Sequence, residues 1–506
     1  MKSSPALTPE FATSQWVDKW ATYAPNQIAL QWDDLSVSLT YADCAKKVHH
    51  LAWKLKNETH ISSGDRVAIL SLNSIEYVLL FFAIQKLGAI LIPLNFRLTA
   101  AELDWPMQDA SPKVLIYEKE FEQTVGKLSQ KPAHVICLDV FLRGMDDSPS
   151  LSAEDCVIPA ADDACMILYT SGTTGRPKGA VITHKMIFWN SINTGLRLNL
   201  TQQDVTLTFA PFFHTGGWNV LTTPFLHRGA RLILSNKFDP DKVLQLCDDQ
   251  KVTILFGVPT MMDMMSRAAS FEQAELTSVR YAIVGGEPMP VKLIEQWHAK
   301  NVPIRQGYGL TEFGPNVFSL NEEDAIRKIG SIGFPNFYIE TKVVDDHGKE
   351  TATNEPGELL LRGPACMKGY WNNVEATAKT IVDGWLHTGD IVRKDEEGYF
   401  YVMDRKKDMF ISGAENVYPA EVEHTLRLIK GVREVAVIGV PDPKWGESGM
   451  AFIVCDEDAS LTKDAIITFC KERMAKYKIP KHIRFLDELP KSDSGKILKR
   501  KLREMV

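Results

Sequence analysis

Short apolar, β-branched runs alternate with helix-length segments through the first four hundred residues, and this alternation constrains the fold more than any other feature. Arg66–Leu70, Lys113–Tyr117, Ala133–Leu138, Arg231–Leu234, Thr253–Phe256 and Arg280–Val284 are such runs. Strands separated by helical patterns pair side by side in parallel, because the crossover between parallel strands needs a helix-sized connection. The expectation is an α/β fold of layered, largely parallel sheets and helices. The most apolar stretch, Tyr77–Leu94, is interrupted by Gln85, Lys86 and Gly88. It reads as a buried helix followed by the strand Ala89–Leu94 rather than as a membrane span.

The tail has a different grain. Val422, Leu426 and Ile429 form a helical stripe within Ala420–Ile429, Val435–Val440 and Ala451–Cys455 read as strands, and Lys463–Met474 reads as a helix. A small α+β domain of about 100 residues fits this pattern. The division expected is 1–404 for a large N-terminal domain and 405–506 for a small C-terminal one. Between them lies the charged segment Asp404-Arg405-Lys406-Lys407-Asp408, which suits either a hinge or a solvated turn.

At 506 residues, 45% hydrophobic and 24% charged, the chain has the composition of a globular protein with more than one core. The formal net charge of −7 argues against nucleic acid as partner but not against a local cationic pocket for a nucleotide. Eight scattered cysteines form no C-x-x-C pair, so they read as small buried hydrophobes in a reducing compartment. No apolar run of signal-peptide type opens the chain, and a cytoplasmic location is expected. Peripheral membrane contact and a homodimer stay open.

The segment Tyr169–Ala180 leaves the end of a strand-like run, Met166-Ile167-Leu168. Glycines 172, 175 and 179 permit positive φ and close backbone approach to a ligand. Successive N–H groups, hydroxyls and Lys178 could then cradle phosphate oxygens. It is not a Walker A loop, which needs G-x-x-x-x-G-K-[ST]. On composition alone, a Gly/Thr-rich turn without function is the competing reading.

Together with five further segments, this loop resembles the adenylate-forming superfamily of acyl-CoA synthetases, luciferases and peptide-synthetase adenylation domains. The other segments are Phe212–Trp218, Gly285–Pro288, Gly307–Glu312, Trp385–Asp390 and Pro490–Lys496, in the family's order. The resemblance covers nearly the whole chain. It implies ATP, Mg²⁺ and coenzyme A as the reaction partners of a small-molecule carboxylic acid, activated as an acyl adenylate and transferred to a thiol.

The resemblance also distributes roles. Thr170, Ser171, Gly172, Thr173, Thr174, Gly175 and Lys178 would hold phosphates. Gly286, Glu287 and Pro288 would contact the adenine, and Gln306, Gly307 and Tyr308 would also bind the nucleotide. Asp390 would accept hydrogen bonds from the ribose hydroxyls, and Arg405 would add a fixed fork to ribose or phosphate. Glu312 would bind Mg²⁺, a hard cation that seeks carboxylate and phosphate oxygens, with Thr170 or Thr311 beside it. Lys496 would stabilise the charge that builds as the carboxylate attacks the α-phosphate. Taken singly, Asp390 and Glu312 read as caps or solvated acids and Lys496 as a surface lysine in a basic tail.

Thioester formation makes other demands. A thiol with a pKa near 8.5 is partly thiolate at neutral pH, so attack on the adenylate needs no dedicated base. The family is understood to rotate its small domain between the two steps. By resemblance Lys407 is the hinge, and rotation would withdraw Lys496 and bring Gly413, Ala414 and Glu415 to the site.

Four residues bear on the acid. His214, also a candidate catalytic residue, Trp218, Gly309 and Met261 would line its pocket. Phe213-His214-Thr215 lacks the aspartate that would pair with an α-amino group, so an amino acid is disfavoured. Glycine at 309 would leave room for a longer or aromatic acyl group. The cluster Met261, Met262, Met264, Met265 suits an adaptable pocket wall, although ordinary core packing is its commoner use. The expected substrate is a medium- or long-chain fatty acid, with a cinnamate- or benzoate-type acid as the alternative. An acyl-carrier protein as acceptor, a non-catalytic nucleotide-binding regulator and a luciferase-type oxygenase are the competing functions.

Overall fold

The computed structural model describes residues 11–170, 177–287, 289–412, 415–456, 459, 461–491 and 497–506. The chain divides into two compact units. One comprises Met1–Ile329, Gly333–Glu340 and Leu361–Leu386; the other comprises Gly330–Ile332, Thr341–Leu360 and His387–Val506.

In the first unit, one sheet runs in the order His134–Cys137, Val114–Tyr117, Arg66–Leu70, Ile90–Pro93, Ala164–Thr170, Lys178–Thr183. Its pairs are parallel except the last, an antiparallel hairpin. A second set of strands lies in the order Ile28–Trp32, Arg231–Leu234, Val205–Thr208, Ile254–Gly257, Tyr281–Val284, Ile304–Leu310, all parallel. Antiparallel neighbours flank it on both sides: Ser38–Thr40 is an edge strand, whereas Gly314–Ser319 pairs onward, Phe318 with Pro335 and Ser319 with Phe334. The apolar runs picked out in the sequence are therefore strands, each within a residue or two of its expected limits.

The stretch Tyr77–Leu94 becomes the helix Ile75–Lys86 and the strand Ile90–Pro93. Ser74 caps the helix, its hydroxyl accepting the Tyr77 N–H at 3.1 Å. All but one of the twelve helix residues are buried, so the helix is apolar on every face, as a core helix is. Its polar interruptions are matched inside: the Gln85 amide donates to the Cys165 carbonyl at 2.9 Å, and the buried Lys86 ammonium pairs with Asp18. Among the described residues no helix is long and apolar enough to cross a membrane.

The second unit contains the expected small α+β region. Val432–Asp442 and Gly446–Cys455 form a long antiparallel ladder, and His482–Phe485 joins the latter in parallel. Helices Pro419–Arg427 and Lys463–Lys471 cover it through Val422, Leu426, Ile466 and Cys470. The same unit holds the antiparallel pair formed by Trp385–Lys394, from His387 onward, with Phe400–Arg405.

Two expectations are corrected. All eight cysteines are free thiols, but only Cys44, Cys165, Cys247 and Cys470 are buried; Cys137, Cys156, Cys366 and Cys455 are partly exposed, on loops and element ends. Lys178, Gly179 and Ala180 are not loop residues but start the return strand Lys178–Thr183. A Cβ on Gly179 would lie 2.6 Å from Ile167 Cγ2, so this glycine serves strand packing rather than ligand approach.

Candidate active site

The expected site residues fall into two groups, one in each unit. In the first unit, Thr170 and Lys178 face each other as the last pair of the hairpin, bracketing the phosphate-type loop. The Thr170 hydroxyl donates to the Lys178 carbonyl at 3.4 Å. Ser171, Gly172, Thr173, Thr174 and Gly175 lie outside the described residues. Below the hairpin, the Tyr169 hydroxyl donates to Asp109 at 2.7 Å, and burial, the larger effect, with that carboxylate holds the phenol protonated well above its ordinary range.

The Lys178 ammonium lies 5.0 Å from the centre of the Tyr370 ring, and the Tyr370 hydroxyl donates to Glu312 Oε1 at 2.8 Å. An aromatic side chain thus joins the phosphate-type lysine to the candidate metal carboxylate. Tyr370 is itself fixed by a bridge to Ala180 and by its N–H, which donates to the Thr377 hydroxyl at 2.9 Å. The Met367 N–H anchors the Glu312 carbonyl at 2.9 Å. Sequence reasoning missed Tyr370; its only local signal is the run Gly369-Tyr370-Trp371.

Glu312 and Thr311 sit half-buried in the turn after Ile304–Leu310, the strand that also carries Gln306, Gly307 and Tyr308. The buried Gln306 amide spans to the next loop, donating to the Glu287 carbonyl and accepting the Met289 N–H, both at 3.4 Å. Gly286 adopts φ +90° in that loop, where a side chain would be strained. Pro288 lies outside the described residues. Tyr308 packs edge-on to Phe318, ring centres 5.8 Å apart.

The acyl-type motif is held by Asn73, whose side chain accepts the Phe212 N–H at 3.0 Å and donates to the Ala210 carbonyl at 2.8 Å. His214 is half-buried against Phe213, which meets Phe96 edge to face at 5.0 Å. Trp218 is wholly enclosed, stacked on Phe212 at 4.2 Å with Tyr77 and Phe81 around it. Met262 and Met265 are fully buried in the core, Met261 packs on that core, and Met264 is 50% exposed. Half of the methionine cluster is therefore core.

Gly309 departs from expectation. A Cβ there would stand 2.1 Å from the Pro315 carbonyl oxygen and 2.2 Å from its carbon. The space a side chain would take is filled by the return strand, so the glycine reflects close backbone approach within the hairpin, not room for an acyl group.

In the second unit, Asp390 and Arg405 are cross-strand partners. Arg405 Nε pairs with Asp390 Oδ1 at 2.6 Å, and the carboxylate is 3% exposed. Thr388 donates its hydroxyl to the Leu359 carbonyl at 2.8 Å and accepts the Asp390 N–H at 3.0 Å. Gly389 takes φ +68°, its N–H reaching Glu358 at 3.2 Å. The Lys406 ammonium donates to the Asp346 carboxylate, and this bond, with Glu358 adding to it, raises the pKa of Lys406. Lys407 and Glu415 are exposed; Gly413, Ala414 and Lys496 lie outside the described residues. Asp404, in contrast, is buried, so the charged segment is not a uniformly solvated turn.

Residues 17–371 match the family model described as AMP-binding enzyme, and residues 421–496 match AMP-binding enzyme C-terminal domain. The chain is 39% identical over 494 residues to a feruloyl-CoA synthase of Amycolatopsis sp, covering 96% of this chain and 98% of that one. It is 37% identical over 490 residues to the long-chain-fatty-acid–CoA ligase FadD13 of Mycobacterium tuberculosis, covering 96% of each. Among solved structures, the o-succinylbenzoate CoA synthetase of Bacillus subtilis with its acyl-adenylate intermediate superposes with a TM-score of 0.87, at 32% identity and coverage of 97% and 98%.

Proposed function

The chain belongs to the AMP-binding enzyme family, as an AMP-forming acid–CoA ligase, and from that premise we propose that its substrate is a hydrophobic aryl acid of the cinnamate type. The observation that carries the choice of acid is the likeness to feruloyl-CoA synthase along 96% of the chain. The aromatic shell of Phe96 and Phe213 beside His214 suits a flat ring. The identity to FadD13 favours a second reading, a medium- or long-chain fatty acid.

In the first half-reaction a carboxylate oxygen attacks the α-phosphate of ATP, the bond to pyrophosphate breaks, and acyl-AMP forms. Lys178, beside the Tyr370 ring, offers its ammonium to the phosphates. Glu312 with the Thr170 or Thr311 hydroxyl fits Mg²⁺, since one hard carboxylate completed by phosphate and water oxygens is how that ion is usually held. When bound, the ion neutralises triphosphate charge. Tyr370 orients the Glu312 carboxylate, and Asp390, steadied by Arg405, receives the ribose hydroxyls. Gly286, Glu287, Gln306 and Tyr308 shape the base site, and Lys496 stabilises charge at the α-phosphate.

In the second half-reaction the CoA thiolate attacks the acyl carbon and AMP leaves. We read Lys407 as the hinge between 1–404 and 405–506, turning Lys496 away and bringing the Gly413–Glu415 loop in. Eight free thiols suit a reducing compartment, hence the cytoplasm.

The test is ATP–pyrophosphate exchange with a panel of aryl, fatty and amino acids, followed by addition of CoA. Exchange strongest with cinnamate-type acids, then thioester, is expected. Exchange confined to fatty acids moves the assignment to the second reading. Exchange without thioester points to a carrier-protein acceptor, and no exchange with any acid refutes the catalytic reading.

A further inference from the structure

Asp404 stands three residues before Lys407, yet one oxygen of its carboxylate is bonded on the far side of it. Oδ1 accepts the Arg405 N–H and Oδ2 the Ala420 N–H, both at 2.7 Å. Ala420 lies in the first turn of Pro419–Arg427, whose own N-cap residue, Tyr418, makes no side-chain bond to the helix. The opening N–H groups of a helix need acceptors, and an anion there also meets the favourable end of the helix dipole. A carboxylate from a preceding strand therefore does the work of a cap.

The acceptor end of the bond is buried. Asp404 is 7% exposed and faces Lys499 and Glu423. Lys499 pairs with Glu423 at 2.8 Å, and Glu423 also accepts the Val437 N–H at 2.8 Å. Just past Lys407, Asp408 pairs with Arg503 at 2.8 Å. Asp408 and Arg503 both follow Lys407, so a rotation about Lys407 carries them together. Asp404 and Ala420 lie on opposite sides of Lys407, and the same rotation pulls them apart. In the observed state, His387–Arg405 belongs to the same compact unit as the chain beyond Lys407.

We propose that Asp404 is a positioning residue of the two-step reaction, latching the chain beyond Lys407 in one hinge state through its bond to Ala420 and releasing it for the other half-reaction. The inference rests on the reading of Lys407 as the hinge. Breaking the latch changes the balance between the half-reactions, whereas breaking the Asp408–Arg503 pair does not.

The test uses the full chain and compares Asp404→Ala, Asp404→Asn and Asp408→Ala. Adenylation is read by pyrophosphate exchange, and thioester formation by single turnover of preformed acyl-adenylate with CoA. A charge-assisted bond from a partly buried amide predicts that Asp404→Ala alters the ratio of the two rates about tenfold or more. Asp404→Asn, which keeps one carbonyl acceptor, gives a smaller change in the same direction, and Asp408→Ala leaves the ratio where it was. Proportional loss of both rates in Asp404→Ala, or an equal ratio change in Asp408→Ala, overturns the proposal. Should Asp404→Ala not fold, an unchanged ratio in Asp404→Asn overturns it. Loss of all exchange in the unmodified protein is a different failure, that of the proposed activity and with it the hinge.

Discussion

Replacing Gly309 by alanine adds one methyl group at a point 2.1 Å from the Pro315 oxygen, 2.2 Å from its carbonyl carbon and 2.5 Å from its Cα. Carbon needs well over 3 Å from such atoms, and all three belong to backbone, so no rotamer change relieves the contact. The hairpin between Ile304–Leu310 and Gly314–Ser319 must open instead. Forced overpacking of this kind costs about 1–3 kcal/mol. Spread over the unfolding entropy of a unit several hundred residues long, that is a fall of about 1–4 °C in melting temperature. Gly307, two residues earlier on the same strand, is the internal control. A Cβ there meets nothing nearer than 3.6 Å, so Gly307→Ala should leave stability unchanged or raise it by about 0.5 kcal/mol through the unfolded chain. Differential scanning calorimetry of the two variants, alongside exchange assays with short and long acids, decides the matter. If Gly309→Ala melts normally and merely shifts preference toward short acids, the steric argument is wrong and the residue does serve as a pocket gate.

The remaining predictions concern the site and its pH range. Tyr370→Phe removes a bond to a charged acceptor worth about 1.5–3 kcal/mol, so adenylation should slow about tenfold or more with little change in melting; an unchanged rate with Mg²⁺ titrated would show that Glu312 needs no such support. Lys496→Ala should abolish pyrophosphate exchange but spare thioester formation from supplied acyl-adenylate, and equal loss of both would remove Lys496 from its assigned step. Burial lowers the pKa of His184 and of His227 from 6.5 to about 4, with Arg228 a smaller cause at His227, so both are neutral in the fold. The unfolded chain takes up these protons first as pH falls, so the stability is intact above pH 6.5 and drains away between there and about pH 4. Each histidine should cost about 1.4 kcal/mol at pH 5.5, and a melting temperature flat from pH 7 to 4.5 would contradict the burial argument.

What the sequence by itself determined was the alternation of strands and helices, with the limits of the strongest apolar runs, and the family. Arg66–Leu70 and Arg231–Leu234 coincide with their strands because a short, continuous apolar run buried on both faces suits a central parallel strand. Ile75–Lys86 was legible because an apolar segment of that length, ended by Gly88, suits a core helix and little else. The ordered loop motifs were enough to suggest the family whose models match residues 17–371 and 421–496. What only the tertiary structure decided were the neighbours supplied from afar. Gly309 and Gly179 look alike in sequence to any ligand-approaching glycine, yet each is required by a partner strand, Pro315 in one case and Ile167 in the other. Tyr370 reaches Glu312 across 58 positions, and Asp404 caps a helix that begins fifteen residues later. Local pattern records period and polarity, but sheet order and close packing choose which distant side chain meets which, and those meetings determine which polar groups are satisfied.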